Sequence, residues 1–264
     1  MRYTDKLRAR IRATGSALCV GLDPRPDGGN TAALGRWLLR VAEETAPFAA
    51  AYKPNIAYFE AMGPPGLELL QGLLRDMPED IPVILDAKRG DIGETQKYYA
   101  HACFERLGAD AVTLNPFMGY DTLEPFLDAP GKGVYLLAVT SNPGAADIEL
   151  RMLADGRPVY RLVADMVRRA QAERRAADAG MVVGLTNTSG ALLEELPDAP
   201  LLIPGLGAQG GDIQALAGGR LTAPFVVNVS RGILYREPEL SFADKARKYA
   251  GEIRRILTNP PSTP

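Results

Sequence analysis

The 264-residue sequence contains a single histidine, His101, and only two cysteines, Cys19 and Cys103. One histidine excludes any mechanism that needs a histidine pair, such as a two-histidine metal site or a facial triad. Two cysteines are too few for a disulfide framework or a four-ligand zinc site, so a reducing compartment is the simpler expectation. Both thiols are expected to be small buried apolar groups.

The sequence also lacks a long apolar run and an excess of charge of one sign. It begins with the charged segment MRYTDKLRARIRATG, which has no apolar stretch of the kind found in signal peptides. No run approaches the roughly 18 apolar residues of a membrane span. Thirty basic residues nearly balance thirty-two acidic ones, and the net charge of −2 gives no general attraction to nucleic acid or an anionic membrane. We therefore expect a cytoplasmic protein that binds neither.

Eight short apolar runs rich in Val, Leu and Ile recur along the chain, as is typical of strands buried on both faces of a parallel sheet. They lie at residues 18–23, 48–53, 82–88, 111–115, 133–140, 180–186, 201–205 and 225–230. Segments with helical periodicity lie between them, most clearly at 31–44, 160–175 and 242–257.

The eightfold alternation predicts a (β/α)8 barrel, an α/β fold, over residues 1–257 as a single domain. An open doubly wound sheet is the alternative that the pattern leaves open. The tail at 258–264, TNPPSTP, is predicted to be a frayed end.

Polar side chains follow the predicted strands, at the end where the active site of a (β/α)8 barrel is built. They are Asp23, Lys53, Asp86, Lys88, Asn115, Thr140, Ser141 and Arg231. This coincidence predicts an enzyme active site at the mouth of the barrel.

The third strand carries the densest group of charges, in the pattern Asp86-x-Lys88-x-x-Asp91. Side chains alternate along a strand, so Asp86 and Lys88 are expected to point the same way as Ile84, toward the barrel interior. Lys53 from the second strand extends the row of alternating charge. A structural ion-pair network at the barrel rim is the alternative interpretation. A lysine held between carboxylates stays protonated, which suits a proton donor better than a Schiff-base nucleophile.

Two features favour a phosphorylated ligand. A glycine-rich loop at 204–212 follows the seventh strand, where backbone N–H groups and Gln209 could bind phosphate, and Arg231 follows the eighth strand. Ordinary turns are the alternative for the glycine-rich stretch.

After the fifth strand, Ser141 lies at the start of a long segment that is either a surface insertion or a loop closing over a ligand.

These motifs together resemble orotidine 5′-phosphate decarboxylase, specifically the bacterial subgroup with the DAKRGD signature. The resemblance rests on LDAKRGDIG at 85–93, YKPN at 52–55, TSNPG at 140–144 and PGLGAQGG at 204–211, and it spans the whole barrel. It implies a carboxy-lyase that converts orotidine 5′-phosphate to uridine 5′-phosphate and carbon dioxide, the last step of de novo pyrimidine biosynthesis. It implies neither a cofactor nor a metal.

The resemblance also implies a role for each residue at the barrel mouth. Lys88 would deliver a proton to C6 of the pyrimidine after carbon dioxide leaves, and Asp86 would lie against the substrate carboxylate. Lys53 would bridge the ribose and the acidic residues. Asp23 would contact the sugar, and Ser141 the edge of the pyrimidine.

A second group of residues concerns the phosphate and the subunit partner. Gln209 and Arg231 match positions that bind the substrate phosphate. Asp91, Ile92 and Thr95 match positions that reach into the neighbouring subunit's site, which implies a homodimer with shared active sites.

Two rival functions remain open. One is a metal-dependent sugar-phosphate decarboxylase or aldolase on the same scaffold, although related metal-dependent lyases carry an acidic residue in place of the second-strand lysine, Lys53. The other is a non-catalytic protein that binds a nucleotide phosphate. The intact row of alternating charge argues against both.

Overall fold

The computed structural model describes residues 1–25, 30–187, 190–205 and 222–258. Within these ranges eight parallel strands form one sheet in the order β2-β1-β8-β7-β6-β5-β4-β3. The strands are β1 Leu18–Gly21, β2 Ala51–Lys53, β3 Ile84–Arg89, β4 Ala111–Leu114, β5 Gly133–Val139, β6 Asp178–Val183, β7 Leu201–Pro204 and β8 Phe225–Val229. All eight coincide with the predicted apolar runs.

The two strands at the ends of this order meet and close the sheet. The backbone N–H of Tyr52 donates to the carbonyl of Pro82 at 2.9 Å, and that of Asp86 donates to the carbonyl of Pro54 at 2.9 Å. The predicted (β/α)8 barrel is therefore confirmed, and the doubly wound alternative is wrong, because an open sheet leaves its edge strands unpaired.

One helix precedes the first strand, and the other helices described follow the strands around the outside of the barrel. They are α1 Tyr3–Thr14, α2 Thr31–Thr45, α3 Ile56–Glu60, α4 Pro64–Arg75, α5 Gly93–His101, α6 Glu124–Leu127, α7 Tyr160–Ala172, α8 Gly190–Glu195, α9 Arg231–Leu234 and α10 Phe242–Thr258. The segment predicted at 160–175 ends early, since Arg174 adopts a positive φ of 51° that a helix cannot continue through. None of the helices described has the length and apolarity that crossing a bilayer requires.

The predicted tail begins where the last helix ends. α10 includes Thr258, and residues 259–264 lie outside the described part of the chain. The division of the chain into one domain and a tail stays a prediction.

The strands lie between two apolar layers, one inside the barrel and one between the barrel and the helices. Ile84 belongs to the layer inside the barrel, whereas Val83 and Leu85 pack between the strands and the helices. This is the alternation expected for β3. Cys19 lies in the inner layer and Cys103 in the outer one, both buried as predicted.

Helix α1 covers the N-terminal end of the barrel. Tyr3 and Leu7 join the inner apolar layer, and the hydroxyl of Tyr3 lies 2.9 Å from that of Tyr135 on β5. Lys6 pairs with Asp110, which directly precedes β4. Since this end is filled, the open end of the barrel is the one where the strands finish.

Candidate active site

A cavity of about 410 Å³ lies at the open end of the barrel. The inner apolar layer, here Leu137, Val182 and Leu202, supplies part of its lining. Seven residues predicted at strand ends contribute polar groups: Asp23, Lys53, Asp86, Lys88, Thr140, Ser141 and Arg231. The predicted clustering of polar groups at the barrel mouth is therefore observed for seven of the eight residues. The eighth, Asn115, does not line this cavity, and its side-chain oxygen accepts from the backbone N–H of Phe117 at 3.1 Å.

The centre of the site is one carboxylate held between two ammonium groups. Lys53 Nζ lies 2.7 Å from Oδ2 of Asp86, and Lys88 Nζ lies 2.5 Å from Oδ1. Lys53 and Asp86 are buried, whereas 47% of the Lys88 side chain is exposed. Lys53 is thus a fixed charge beneath the cavity, and Lys88 is the ammonium group that a ligand can reach.

Charge attraction outweighs burial at this carboxylate. Burial by itself would raise the pKa of Asp86, but the ammonium groups of Lys53 and Lys88 lower it to about 2. Burial would likewise lower the pKa of Lys53, but the carboxylates of Asp86 and Asp23 raise it above its ordinary value. Asp86 is therefore ionised and Lys53 protonated at neutral pH.

Strand β3 is irregular where it carries these groups. Leu85 pairs with Val112 and Arg89 with Leu114, so residues 86–88 lie opposite the single residue Thr113. This is a β-bulge. Lys88 adopts a positive φ of 47°, which is uncommon for a residue with a long side chain.

Gly90 follows the bulge and lets the chain pass close to the end of β4. A Cβ atom there would lie 3.0 Å from the carbonyl oxygen of Asn115. Glycine is therefore favoured here by the close approach of the two chain segments and not by its φ, which is not in the left-handed range.

Three further predicted residues lie around the cavity. The Asp23 carboxylate accepts from the backbone N–H of Asn55 at 3.2 Å, Ser141 lies in the segment after β5, and Arg231 starts α9. Gln209 lies outside the described residues. Its role stays a prediction.

Asp91, Ile92 and Thr95 do not line the cavity of this chain. The Asp91 carboxylate accepts from the backbone N–H of Ile92 at 2.8 Å, and the Ile92 side chain is 63% exposed. Thr95 is also exposed. Within one chain the row of alternating charge therefore comprises Lys53, Asp86 and Lys88, with Asp91 outside it.

The sequence interpretation missed several polar residues of the cavity, namely Asn55, Tyr58, Thr113, Asn228 and Ser230. Thr113 is the most informative of these because it contacts the charged centre. Its hydroxyl donates to Oδ1 of Asp86 at 3.0 Å and accepts from the backbone N–H of Lys88 at 3.0 Å. The signal was a polar residue two positions after Ala111, on the inward face of β4.

The remaining titratable candidates have no place at this centre. His101 is exposed at the end of α5, beside a cavity of about 620 Å³ on the outside of the barrel. Burial raises the pKa of Cys19 to about 12 and that of Cys103 to about 11, so neither is a thiolate near neutral pH. In the described residues, no three His, Cys, Asp or Glu side chains are arranged to hold a metal ion.

A family model and the individual relatives that are similar to this chain point to one family. The model of the orotidine 5′-phosphate decarboxylase / HUMPS family matches residues 16–246. The chain is 40% identical over 259 residues to an orotidine 5′-phosphate decarboxylase of Herpetosiphon aurantiacus, covering 94% of this chain and 95% of the relative. It is 45% identical over 273 residues to the protein of the same name from Paracidovorax citrulli, with 97% and 98% covered.

Solved structures are similar over the same length. The OMP decarboxylase of Leishmania donovani superposes with a TM-score of 0.84 at 35% identity, covering 98% of this chain and 99% of that one. The UMP synthase of the same organism superposes with a TM-score of 0.85 at 37% identity, covering 97% of this chain and 57% of that longer one.

Proposed function

The chain belongs to the orotidine 5′-phosphate decarboxylase / HUMPS family, and from this premise we propose that it converts orotidine 5′-phosphate to uridine 5′-phosphate and carbon dioxide. The reaction is that of a carboxy-lyase in pyrimidine biosynthesis. The observation that carries the proposal is the contact of Lys53 and Lys88 with the single carboxylate of Asp86 at the barrel mouth.

The chemistry calls for such a fixed ammonium group. When the C6–carboxylate bond breaks, its electron pair stays on C6, in the plane of the ring, where no π-system can accept it. A cation placed beside C6 stabilises this charge electrostatically in a site with little water. Lys88 then transfers a proton to C6, which forms the C–H bond of uridine 5′-phosphate and leaves a neutral amine.

The neighbouring charges prepare Lys88 for that step. Asp86 keeps the ammonium group in place and lies on the side where the substrate carboxylate enters, so repulsion between the two anions is relieved as carbon dioxide departs. Lys53 neutralises the other oxygen of Asp86 and extends the charge toward the ribose. Because all these charges come from side chains, the proposed reaction needs no metal and no organic cofactor.

The rest of the substrate is assigned to the rim of the cavity. Arg231 at the start of α9, together with Gln209, binds the phosphate, Asp23 binds the ribose and Ser141 binds the pyrimidine edge. Binding the distant phosphate supplies energy that closes the site over the reacting ring.

The active unit in this proposal is a homodimer with shared sites. Asp91, Ile92 and Thr95 reach the neighbouring subunit's cavity, where the Asp91 carboxylate approaches the partner's charged centre. The exposure of Ile92 and Thr95 in the single chain is compatible with this assignment, because it leaves both side chains accessible to a second subunit.

The direct test is to incubate the protein with orotidine 5′-phosphate and a metal chelator and to measure carbon dioxide and uridine 5′-phosphate. Equal amounts of both products, with no effect of the chelator, are expected. Activity that requires a divalent ion would favour a metal-dependent sugar-phosphate lyase. Tight binding of uridine 5′-phosphate without decarboxylation would favour a binding protein.

A further inference from the structure

The bulge in β3 affects the hydrogen bonding of the backbone N–H of Lys88. Where residues 86–88 lie opposite one residue of β4, the regular ladder of hydrogen bonds is interrupted. A backbone N–H in this position needs another acceptor, because leaving it unpaired costs about as much as a lost hydrogen bond. The acceptor for Lys88 is the hydroxyl of Thr113, at 3.0 Å.

The same hydroxyl also contacts the carboxylate that holds the two ammonium groups. Thr113 Oγ1 donates its single proton to Oδ1 of Asp86 at 3.0 Å, the oxygen that also lies 2.5 Å from Lys88 Nζ. Thr113 is 1% exposed, so both hydrogen bonds are shielded from water while the hydroxyl is present. A hydroxyl can donate and accept at once, which an apolar side chain of the same shape cannot do.

From these contacts we propose that Thr113 is a positioning residue, whose hydroxyl fixes the backbone and the carboxylate that together aim the Lys88 ammonium group at the reacting carbon. The inference rests on the proposed decarboxylation. Lys88 has a flexible four-carbon side chain, and its position is set at its two ends: the backbone by Thr113 and the ammonium group by Asp86. The hydroxyl ties both ends to β4.

The strained backbone at Lys88 explains why such a tie is needed. A positive φ, here 47°, is unfavourable in a residue with a side chain and persists only where surrounding contacts enforce it. If the hydroxyl is removed, the N–H of Lys88 loses its acceptor and Asp86 loses a donor, and Lys88 can relax. Proton transfer depends on distance far more than binding does, so the loss falls on catalysis.

The test compares Thr113→Val with the matched pair Thr113→Ser and Thr113→Ala, which differ from each other only in the hydroxyl. In Thr113→Val and Thr113→Ala we expect kcat to fall about tenfold to a hundredfold, with KM changed less than about threefold. Thr113→Ser should stay within about threefold of the wild type. If Thr113→Val does not fold, the Ser and Ala pair carries the comparison.

A second measurement isolates the proton-transfer step. By microscopic reversibility, Lys88 in its neutral form removes the C6 proton of uridine 5′-phosphate, so the enzyme exchanges that proton for deuterium in D2O. We expect exchange, followed by NMR, to fall in Thr113→Val by a factor similar to that in kcat. A residue with only a structural role would lower stability and leave both rates per folded molecule unchanged.

Thr45→Val is the matched control. Thr45 is fully buried on α2, and its hydroxyl donates to the carbonyl of Val41 at 2.7 Å, away from the cavity. Its kcat should equal that of the wild type. The inference is overturned if Thr113→Val keeps wild-type kcat, if Thr113→Ser is as impaired as Thr113→Ala, or if exchange is unaffected. Absence of decarboxylation in the wild type would instead overturn the proposed function.

Discussion

The ammonium nitrogen of Lys53 lies 2.7 Å from Oδ2 of Asp86, and the two side chains are only 6% and 12% exposed. They come from neighbouring strands that are joined by the hydrogen bonds closing the barrel. A buried ion pair contributes little net stability compared with apolar packing, but removing one partner leaves the other charge buried and unpaired. The same two strands therefore close the barrel and supply the buried ion pair of the candidate active site.

Lys53→Met should lower the free energy of unfolding by about 3 kcal/mol, because it leaves the buried Asp86 carboxylate with fewer partners. Lys88→Met should cost under about 1 kcal/mol, since the Lys88 side chain is half exposed. Urea unfolding at pH 7 of both variants measures the difference. Equal losses would show that burial of Lys53 does not determine the cost.

The pKa of Asp86, about 2, predicts a specific loss of stability in acid. Its folded pKa is below the ordinary value of 3.8, so the stabilisation is present above pH 4 and is lost as the pH falls toward 2. The effect amounts to about 2 kcal/mol. The difference in unfolding free energy between the wild type and Asp86→Asn should therefore shrink from pH 5 downward. A constant difference over that range would contradict a lowered pKa.

Lys88→Ala should lower the rate of decarboxylation by at least about 10³-fold, because both the proton donor and the charge beside C6 are removed. Binding of uridine 5′-phosphate should be largely retained, since the product has no carboxylate or carbanion at C6. Steady-state assays and calorimetric titration measure the two quantities. Full activity in Lys88→Ala would refute the proposed role.

Shared active sites predict complementation between two inactive variants. If Asp91 acts in the partner's cavity, a mixed dimer of Lys88→Ala and Asp91→Ala has one site with both defects and one with neither. After equal amounts are unfolded and refolded together, activity should reach about a quarter of the wild-type value. Each variant refolded alone is the control, and no recovery would place Asp91 in the site of its own chain.

Tyr3→Ala should lower the free energy of unfolding by about 3–5 kcal/mol, because Tyr3 is 1% exposed and fills the end of the barrel opposite the cavity. Its kcat should remain unchanged at temperatures where the variant is folded. Tyr3→Phe is the matched control: it keeps the ring, loses the contact with the hydroxyl of Tyr135, and should cost about 1 kcal/mol. A changed kcat in the Ala variant would show that the two ends of the barrel are coupled.

Much of the fold could be predicted because its signals are local. Apolar runs of strand length recur eight times, and each coincides with a strand of the barrel. Alternation along β3 correctly directs Ile84 inward and Leu85 outward. Alternation also predicts that Asp86 and Lys88 point the same way, and the two side chains do meet, although in the structure a bulge interrupts the strand between Leu85 and Arg89. Lys53 is predicted beside them because it ends the preceding strand.

The sequence by itself thus determined the barrel and the charges at its mouth, since strand periodicity and strand ends are properties of short segments. Only the tertiary structure decided how these charges are held. The bulge at residues 86–88, the positive φ of Lys88 and the contact of Thr113 with Asp86 all arise from pairing between β3 and β4. Thr113 lies 27 positions after Asp86, and no local pattern specifies which hydroxyl meets which carboxylate across that separation. The geometry is decided where the two strands meet.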